Sequence, residues 1–230
     1  KKVFVPEMAL KGKRVLLDFE GIMYVGDVYL NGEHVGGTDY GYLGFEIDVT
    51  KKLRYGEENE IVVVSSTMNP LNSRWYTGGG LYRDVNMIVT HPQLYFGRHA
   101  LKISTRENKY VDIQAEIGYY LSKSKETLKV SVVIFDAEGN EVAKNDNMLE
   151  MRRDRKLYEF ALSPMTIENA KLWSCETPHL YTVEVTLYDA EGKACDKVTE
   201  RFGMRTIEFN SKEGFKLNGE KVLLKGIANH

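Results

Sequence analysis

TLKVSVVIFDAEG, residues 127–139, sets apolar Leu128, Val130, Val132 and Ile134 at every second position and ends in Asp-Ala-Glu-Gly. A period of two lines one face of a strand, and an Asp/Gly cluster directly after it is turn chemistry, so the stretch predicts a half-buried strand entering a hairpin. YTVEVTLYDAEG, residues 181–192, repeats the device with Val183, Val185 and Leu187 before a second Asp-Ala-Glu-Gly. The shared tetrapeptide marks two hairpin turns and not a repeated domain. Val111, Ile113, Ala115 and Ile117 alternate in the same way in YVDIQAEIG. About seven short strands in roughly 110 residues, with turns at close spacing, predict an immunoglobulin-like sandwich without its disulfide. Cys175 and Cys195 lie twenty positions apart with no CxxC or Cys/His ligand spacing and read as two separate thiols, with one hairpin-spanning disulfide as the alternative.

Upstream the pattern is again strand-like. Val15, Leu17 and Phe19 alternate in RVLLDFEG, Val28 and Leu30 in GDVYLNG, and Phe45, Ile47 and Val49 in GFEIDVT, while Ile61 to Val64 form a short apolar run. Asn31-Gly32 suits a two-residue hairpin because both residues tolerate positive φ, and Asn218-Gly219 repeats it. His91-Pro92 marks a boundary, since proline removes a ladder donor and restricts the residue before it. The chain therefore reads as all-β, with one strand set over 1–92 and a second over 93–208. TIENAK, residues 166–171, alone suggests a helical turn. Residues 209–230 form a hairpin that runs through Val222-Leu223-Leu224, an apolar run expected of a strand buried on both faces.

Composition excludes several partners. The 31 basic and 33 acidic residues are mixed along the chain and leave a net charge of −2, so nothing points to nucleic acid or an anionic membrane. No apolar run is long enough to span a bilayer, and the opening KKVFVPEMAL has no signal-peptide core. The five histidines have no metal-ligand spacing, no serine sits in a nucleophile elbow, and no cofactor motif is present. Most acids fall in turns or at outward positions, not as a facing carboxylate pair.

Chemistry concentrates in RWYTGGGLYRDV, residues 74–85. A phosphate cradle is excluded by the absence of a following Lys-Ser/Thr and of a helix. Arg74, Trp75 and Tyr76 suit carbohydrate, because aromatic faces pack on the C–H face of a sugar while polar side chains meet its hydroxyls. On composition alone a packed turn is favoured, its glycines letting two backbones pass closely. Asp39, Tyr40 and Tyr42 in GGTDYGYLGF make a second loop of this kind, read as a turn with rim aromatics.

Taken in order, FEGIMYVGDVYLNGEHVG, GYLGFEIDVT, NSRWYTGGGLYRDV, LWSCETPHLYTVEV, FGMRTIEF and FKLNGEKVLLKGIANH resemble the non-catalytic front half of glycoside hydrolase family 2, whose best-known members are β-galactosidases. The resemblance implies a partial jelly-roll sugar-binding domain over 1–92 without its first strands and an immunoglobulin-like sandwich over 93–208. It further implies, over 209–230, the lead-in hairpin and first strand of a truncated (β/α)8 (TIM) barrel. The acid/base and nucleophile of such enzymes are two glutamates on later barrel strands, so by this resemblance no catalytic residue lies within residues 1–230. Substrate contact is implied for Arg74, counted back from Arg83 of the G-x-G-L-x-R motif, in a loop with Trp75 and Tyr76, and for His230 at the end of the first barrel strand. Several relatives carry aspartate where Arg74 stands, and an Arg, which only donates, suits sugar hydroxyls or a charged ring. Arg83 and Asp84 are expected to brace the loop. Cys175 replaces the usual proline of the Leu-Trp-Ser-Pro-Glu block, and Trp173, Pro178 and Leu180 are expected to pack.

The resulting expectation is the ancillary part of a retaining exo-β-glycosidase, with no cofactor or metal, a carbohydrate substrate and room for an oligomeric parent. The alternative is a stand-alone glycan-binding or scaffolding module, against which the GEKVLLKGIANH tail speaks.

Overall fold

The apolar rows become the faces of paired strands in the computed structural model, which describes residues 1–68, 78–119, 125–152 and 157–228. In chain order the first strands are β1 (Lys2–Phe4), β2 (Arg14–Phe19), β3 (Ile22–Met23), β4 (Val25–Leu30), β5 (Glu33–Thr38), β6 (Phe45–Asp48), β7 (Asn59–Ser66), β8 (Gly80–Leu81) and β9 (Val85–Thr90). They form antiparallel sheets ordered β1-β7-β4-β5 and β6-β2-β9, with β3 and β8 as a separate ribbon. Asn31 at φ 52° and Gly32 at φ 82° make the β4–β5 turn, the left-handed pair that the strand twist requires. Val28 and Leu30 face Val15, Leu17 and Phe19 in one apolar core.

Two features of this unit depart from simple alternation. Leu16 and Asp18 are 3% and 8% exposed, so β2 is buried on both faces where the sequence suggested one. Along β9, Val85, Met87 and Val89 pair with Phe19, Leu17 and Val15 and so share the core-facing side, yet they remain about two-fifths exposed. Beside them opens a cavity of about 320 Å³ lined by Phe19, Ile61, Val63, Leu81 and Val85, with Lys1 and Lys2 also on its wall. Among the described residues β9 pairs only with β2, so the core is open along this edge.

The chain divides after Pro92 into a first unit, Lys1–Pro92, and a second, Gln93–Asn229. The second holds β10 (Leu94–Arg106), β11 (Tyr110–Tyr119), β12 (Lys125–Phe135), β13 (Glu141–Arg152), β14 (Leu157–Ala161), β15 (Met165–Thr166), β16 (Tyr181–Tyr188) and β17 (Ala194–Phe202). After these come β18 (Ile207–Asn210), β19 (Gly214–Leu217) and β20 (Glu220–Lys221). One sheet runs β10-β11-β14, with β15 also on β11, and the other runs β13-β12-β16-β17. Val130, Val132 and Ile134 lie opposite Leu187, Val185 and Val183. With the β11 row they form a sandwich core in which most members are under 4% exposed.

Both Asp-Ala-Glu-Gly segments are hairpin turns, closed by Gly139 at φ 84° and Gly192 at φ 80°. Asp136 accepts the N–H groups of Glu138 at 3.0 Å and Asn140 at 2.8 Å, and Asp189 accepts those of Glu191 at 3.1 Å and Lys193 at 2.7 Å. The Asn140 side chain, followed by these backbone donors, holds the Asp136 carboxyl below its ordinary 3.8. A depressed folded-state value stabilises the fold above 3.8, and the gain is lost as pH falls through the lower folded value. The Tm difference between wild type and Asp136→Asn is accordingly expected to be larger at pH 6 than at pH 2, as calorimetry in the two buffers would show.

TIENAK does not form a helical turn. Met165–Thr166 pairs with Val111 and Tyr110 as β15, and Ile167 is buried, its N–H donating to the Lys109 carbonyl at 3.0 Å. Sheet pairing and a core anchor outweigh a weak local preference. Among the described residues a helical turn occurs instead as a short 3-10 segment at Met8–Leu10. Both cysteines are free, Cys175 exposed and Cys195 half-buried. Trp173 bridges to Pro178, its ring packed near Gly203 and carrying the Arg205 guanidinium at 4.8 Å, while Leu180 stays partly exposed. Asn218 at φ 55° and Gly219 at φ 84° turn β19 into β20. Beyond β20 the Val222 N–H still donates to the Phe215 carbonyl of β19 at 3.1 Å, and the residues after it form no strand among the described residues, with Leu223, Leu224 and Ile227 exposed.

Candidate functional site

The loop that carries Arg74, Trp75 and Tyr76 lies outside the described residues, as does His230; the base of that loop is defined in detail. It springs from the end of β7 and returns through Gly78 and Gly79 into β8. The Ser65 hydroxyl donates to the Met23 carbonyl and accepts the Gly80 N–H at 3.0 Å, while Met23 and Gly80 face each other across the β3–β8 ribbon. The Tyr24 N–H adds a bond to the Ser66 carbonyl at 3.3 Å. One serine thus joins both ends of the loop to a third strand.

The three glycines do different work. Gly80 holds φ +103°, a left-handed conformation that side chains disfavour. At Gly79 a Cβ would stand 2.5 Å from the Thr67 methyl carbon, so what the missing side chain accommodates there is a neighbouring side chain and not a second backbone. Gly78 faces open space.

Downstream, Tyr82 donates its hydroxyl to the Gly41 carbonyl at 2.8 Å and lays its ring where a side chain on Gly21 would sit. Arg83 lies 5.0 Å from the centre of the Tyr82 ring and donates to the Glu20 carbonyl at 3.4 Å, and the Glu20 N–H donates to the Asp84 carbonyl at 3.0 Å. Arg83 and Asp84 therefore brace the loop base through Glu20. The anchors missed in the sequence are Ser65, Tyr82 and Gly41. The available signals were a pair of serines ending the valine run and a glycine flanked by two tyrosines.

A general acid needs a raised carboxyl pKa, and Asp136 and Asp146 do not qualify: both are lowered, by the Asn140 side chain and the Lys129 ammonium respectively. Burial, aided by Asp189, pushes the Cys195 thiol up and away from a reactive thiolate. Glu126 partners the Tyr119 phenol, whose pKa is pushed up by burial and by that carboxylate. No group of three or more His, Cys, Asp or Glu able to hold a metal occurs among the described residues. Nor is any helix among them long and apolar enough to cross a membrane. What the first unit supplies is a pinned loop base and nearby exposed aromatics.

Residues 1–100 match the family profile described as glycosyl hydrolase 2 galactose-binding domain-like, and residues 98–205 match that of glycosyl hydrolases family 2. The chain belongs to glycosyl hydrolase family 2. Among relatives of this family 2 chain, a β-galactosidase named BoGH2A from Bacteroides ovatus is 31% identical over 100% of the chain and 27% of its own length. A β-glucuronidase from Bacteroides fragilis is 28% identical over 96% of the chain and 33% of its length. The chain thus spans about a third or less of these curated relatives. A solved family 2 member from Bacteroides cellulosilyticus superposes with a TM-score of 0.89 at 31% identity, covering 97% of the chain and 29% of that structure. The β-glucuronidase of Bacteroides uniformis gives 0.86 at 26% identity, covering 100% and 29%. The all-β reading, with a galactose-binding-like domain followed by an immunoglobulin-like one, agrees with both profiles.

Proposed function

We propose that these residues are the ancillary, non-catalytic part of a retaining exo-β-glycosidase that removes terminal galactosyl or related residues from glycosides. The observation that carries the reading is the end-to-end match of two family 2 profiles over residues 1–205, in a chain that spans about a third or less of its curated relatives. Hydrolysis by two glutamates then belongs to a barrel outside these residues, and the units described above bind and position. Further strands of the parent would cover the open β9 edge, since an exposed core-facing row is costly to leave in water. Residues 209–230 would lead into the barrel through the β19–β20 hairpin, with Leu223, Leu224 and Ile227 buried by the strands that follow.

Arg74, Trp75, Tyr76 and His230 are the proposed substrate contacts. An Arg donates without accepting, so Arg74 fits sugar hydroxyls and fits a uronate carboxylate better still. In the full-length enzyme Arg74→Ala is expected to lower kcat/KM by about 10- to 100-fold, the worth of one charge-assisted contact, at unchanged Tm. A larger loss on a glucuronide than on a galactoside would identify the carboxylate as its partner. Unchanged kcat/KM on both would reduce these units to scaffolding.

A further inference from the structure

The β5–β6 connection, Asp39-Tyr40-Gly41-Tyr42-Leu43-Gly44, holds an exposed aromatic pair on a fixed backbone. Gly41 is buried: a Cβ there would lie 2.5 Å from the Met23 sulfur, and its carbonyl receives the Tyr82 hydroxyl at 2.8 Å. On the upstream side the Thr38 hydroxyl donates to the Tyr40 carbonyl at 3.0 Å and accepts the Tyr40 N–H at 3.1 Å. Held between these points, Tyr40 and Tyr42 are 52% and 46% exposed, their ring centres 5.6 Å apart and their planes tilted by 58°. Two rigid rings at an open corner, with the Asp39 carboxylate beside them, present apolar faces and polar tips together. That mixture matches a pyranose, which has a C–H face and a rim of hydroxyls, better than it matches a purely apolar partner. The same backbone is tied through Tyr82 and Met23 to the base of the Arg74 loop, so the two loops share one support.

We infer that Tyr40 and Tyr42 form a second carbohydrate contact, a platform for a pyranose unit other than the one that is cleaved. The inference rests on the glycosidase reading above for the class of ligand. One ring stacks on the sugar's C–H face, the second closes the corner, and Asp39 accepts from a hydroxyl. Both side chains are about half exposed and lie outside the apolar core of the first unit, so their removal is expected to leave the fold intact.

The test uses the full-length enzyme with its catalytic centre filled by an iminosugar inhibitor, so that only a second site is read. Saturation-transfer NMR with β-1,4-galactotriose, and in parallel with a glucuronate-terminated tetrasaccharide, is expected to show transfer to ring protons of at least one. Tyr40→Ala with Tyr42→Ala should weaken that binding at least tenfold, and the paired Phe variants should retain most of it, all at unchanged Tm. Transfer from neither sugar, or equal transfer in wild type and the Ala pair, overturns the platform. Cleavage of a methyl galactoside or glucuronide, followed without inhibitor in the same preparations, is expected to be unaffected by the pair. If the wild type cleaves neither, the glycosidase reading fails, and the effect of the Ala pair on transfer without inhibitor then decides the platform alone.

Discussion

Val185→Asp is expected to abolish folding of residues 93–208, whereas Thr186→Asp one position away should be tolerated. Val185 has no exposed surface and packs in the sandwich core opposite Val132 and Val198. A carboxylate there has neither a cation nor a donor to meet it, and the cost exceeds about 4 kcal/mol, within reach of the whole stability of a domain. Thr186 points to the other face of the same strand, where Lys197 lies directly opposite, so an Asp at that position meets a cation and changes stability by less than about 1 kcal/mol. Far-UV circular dichroism and amide hydrogen exchange of β12 and β16 separate the two outcomes. Equal damage from both substitutions would mean that the period of two does not describe β16.

The second large effect concerns one asparagine. Asn59 is fully buried at the start of β7, and every hydrogen-bonding position of its amide is used. Its Nδ2 donates to the Arg54 carbonyl at 2.8 Å and the Glu57 carbonyl at 2.9 Å, while its Oδ1 accepts the Arg54 N–H and the Asn31 side chain, each at 3.0 Å. Asn31 in turn accepts the Glu60 N–H at 3.0 Å, so the network ties the β4–β5 turn to the 54–57 turn through β7. Asn59→Leu keeps the approximate volume and removes all four bonds, leaving partners that water reaches only in part. The expected loss is about 3 kcal/mol, the sum of several partly re-solvated groups. Hydrogen exchange at the amides of β4 and β7 reads this locally, and urea unfolding should show a lower midpoint at unchanged m. A loss below about 1 kcal/mol would show that the network is decorative.

How far the sequence foretold these features depends on where the partner residues lie. Rows such as Leu128 to Ile134 needed no partner to be identified, because alternation alone fixes which face meets the core, and they are buried as expected. The Asn-Gly and Asp-Ala-Glu-Gly turns were equally legible, since φ preference and a local carboxylate determine them within four residues. Burial of Leu16 and Asp18 on the second face of β2 leaves no mark in an alternating pattern. Asn59 looked like one more polar residue in GEENE, because its partners include Asn31, far back in the chain. The loop base was hidden for the same reason: Ser65 meets Met23 and Gly80, and Tyr82 meets Gly41, all across long separations. Arg74, Trp75 and Tyr76 suited a sugar by their chemistry, but only resemblance to a family raised that reading above a packed turn and pointed to His230, and their roles await the kinetics set out above.

The central claim is that these 230 residues bind and position but do not hydrolyse. The direct measurement assays the isolated chain and the full-length gene product side by side on nitrophenyl β-galactoside and β-glucuronide. The account predicts turnover of at least one substrate by the full-length protein and none by the chain. Turnover by the isolated chain would contradict it, because the acid and nucleophile would then have to lie within residues 1–230.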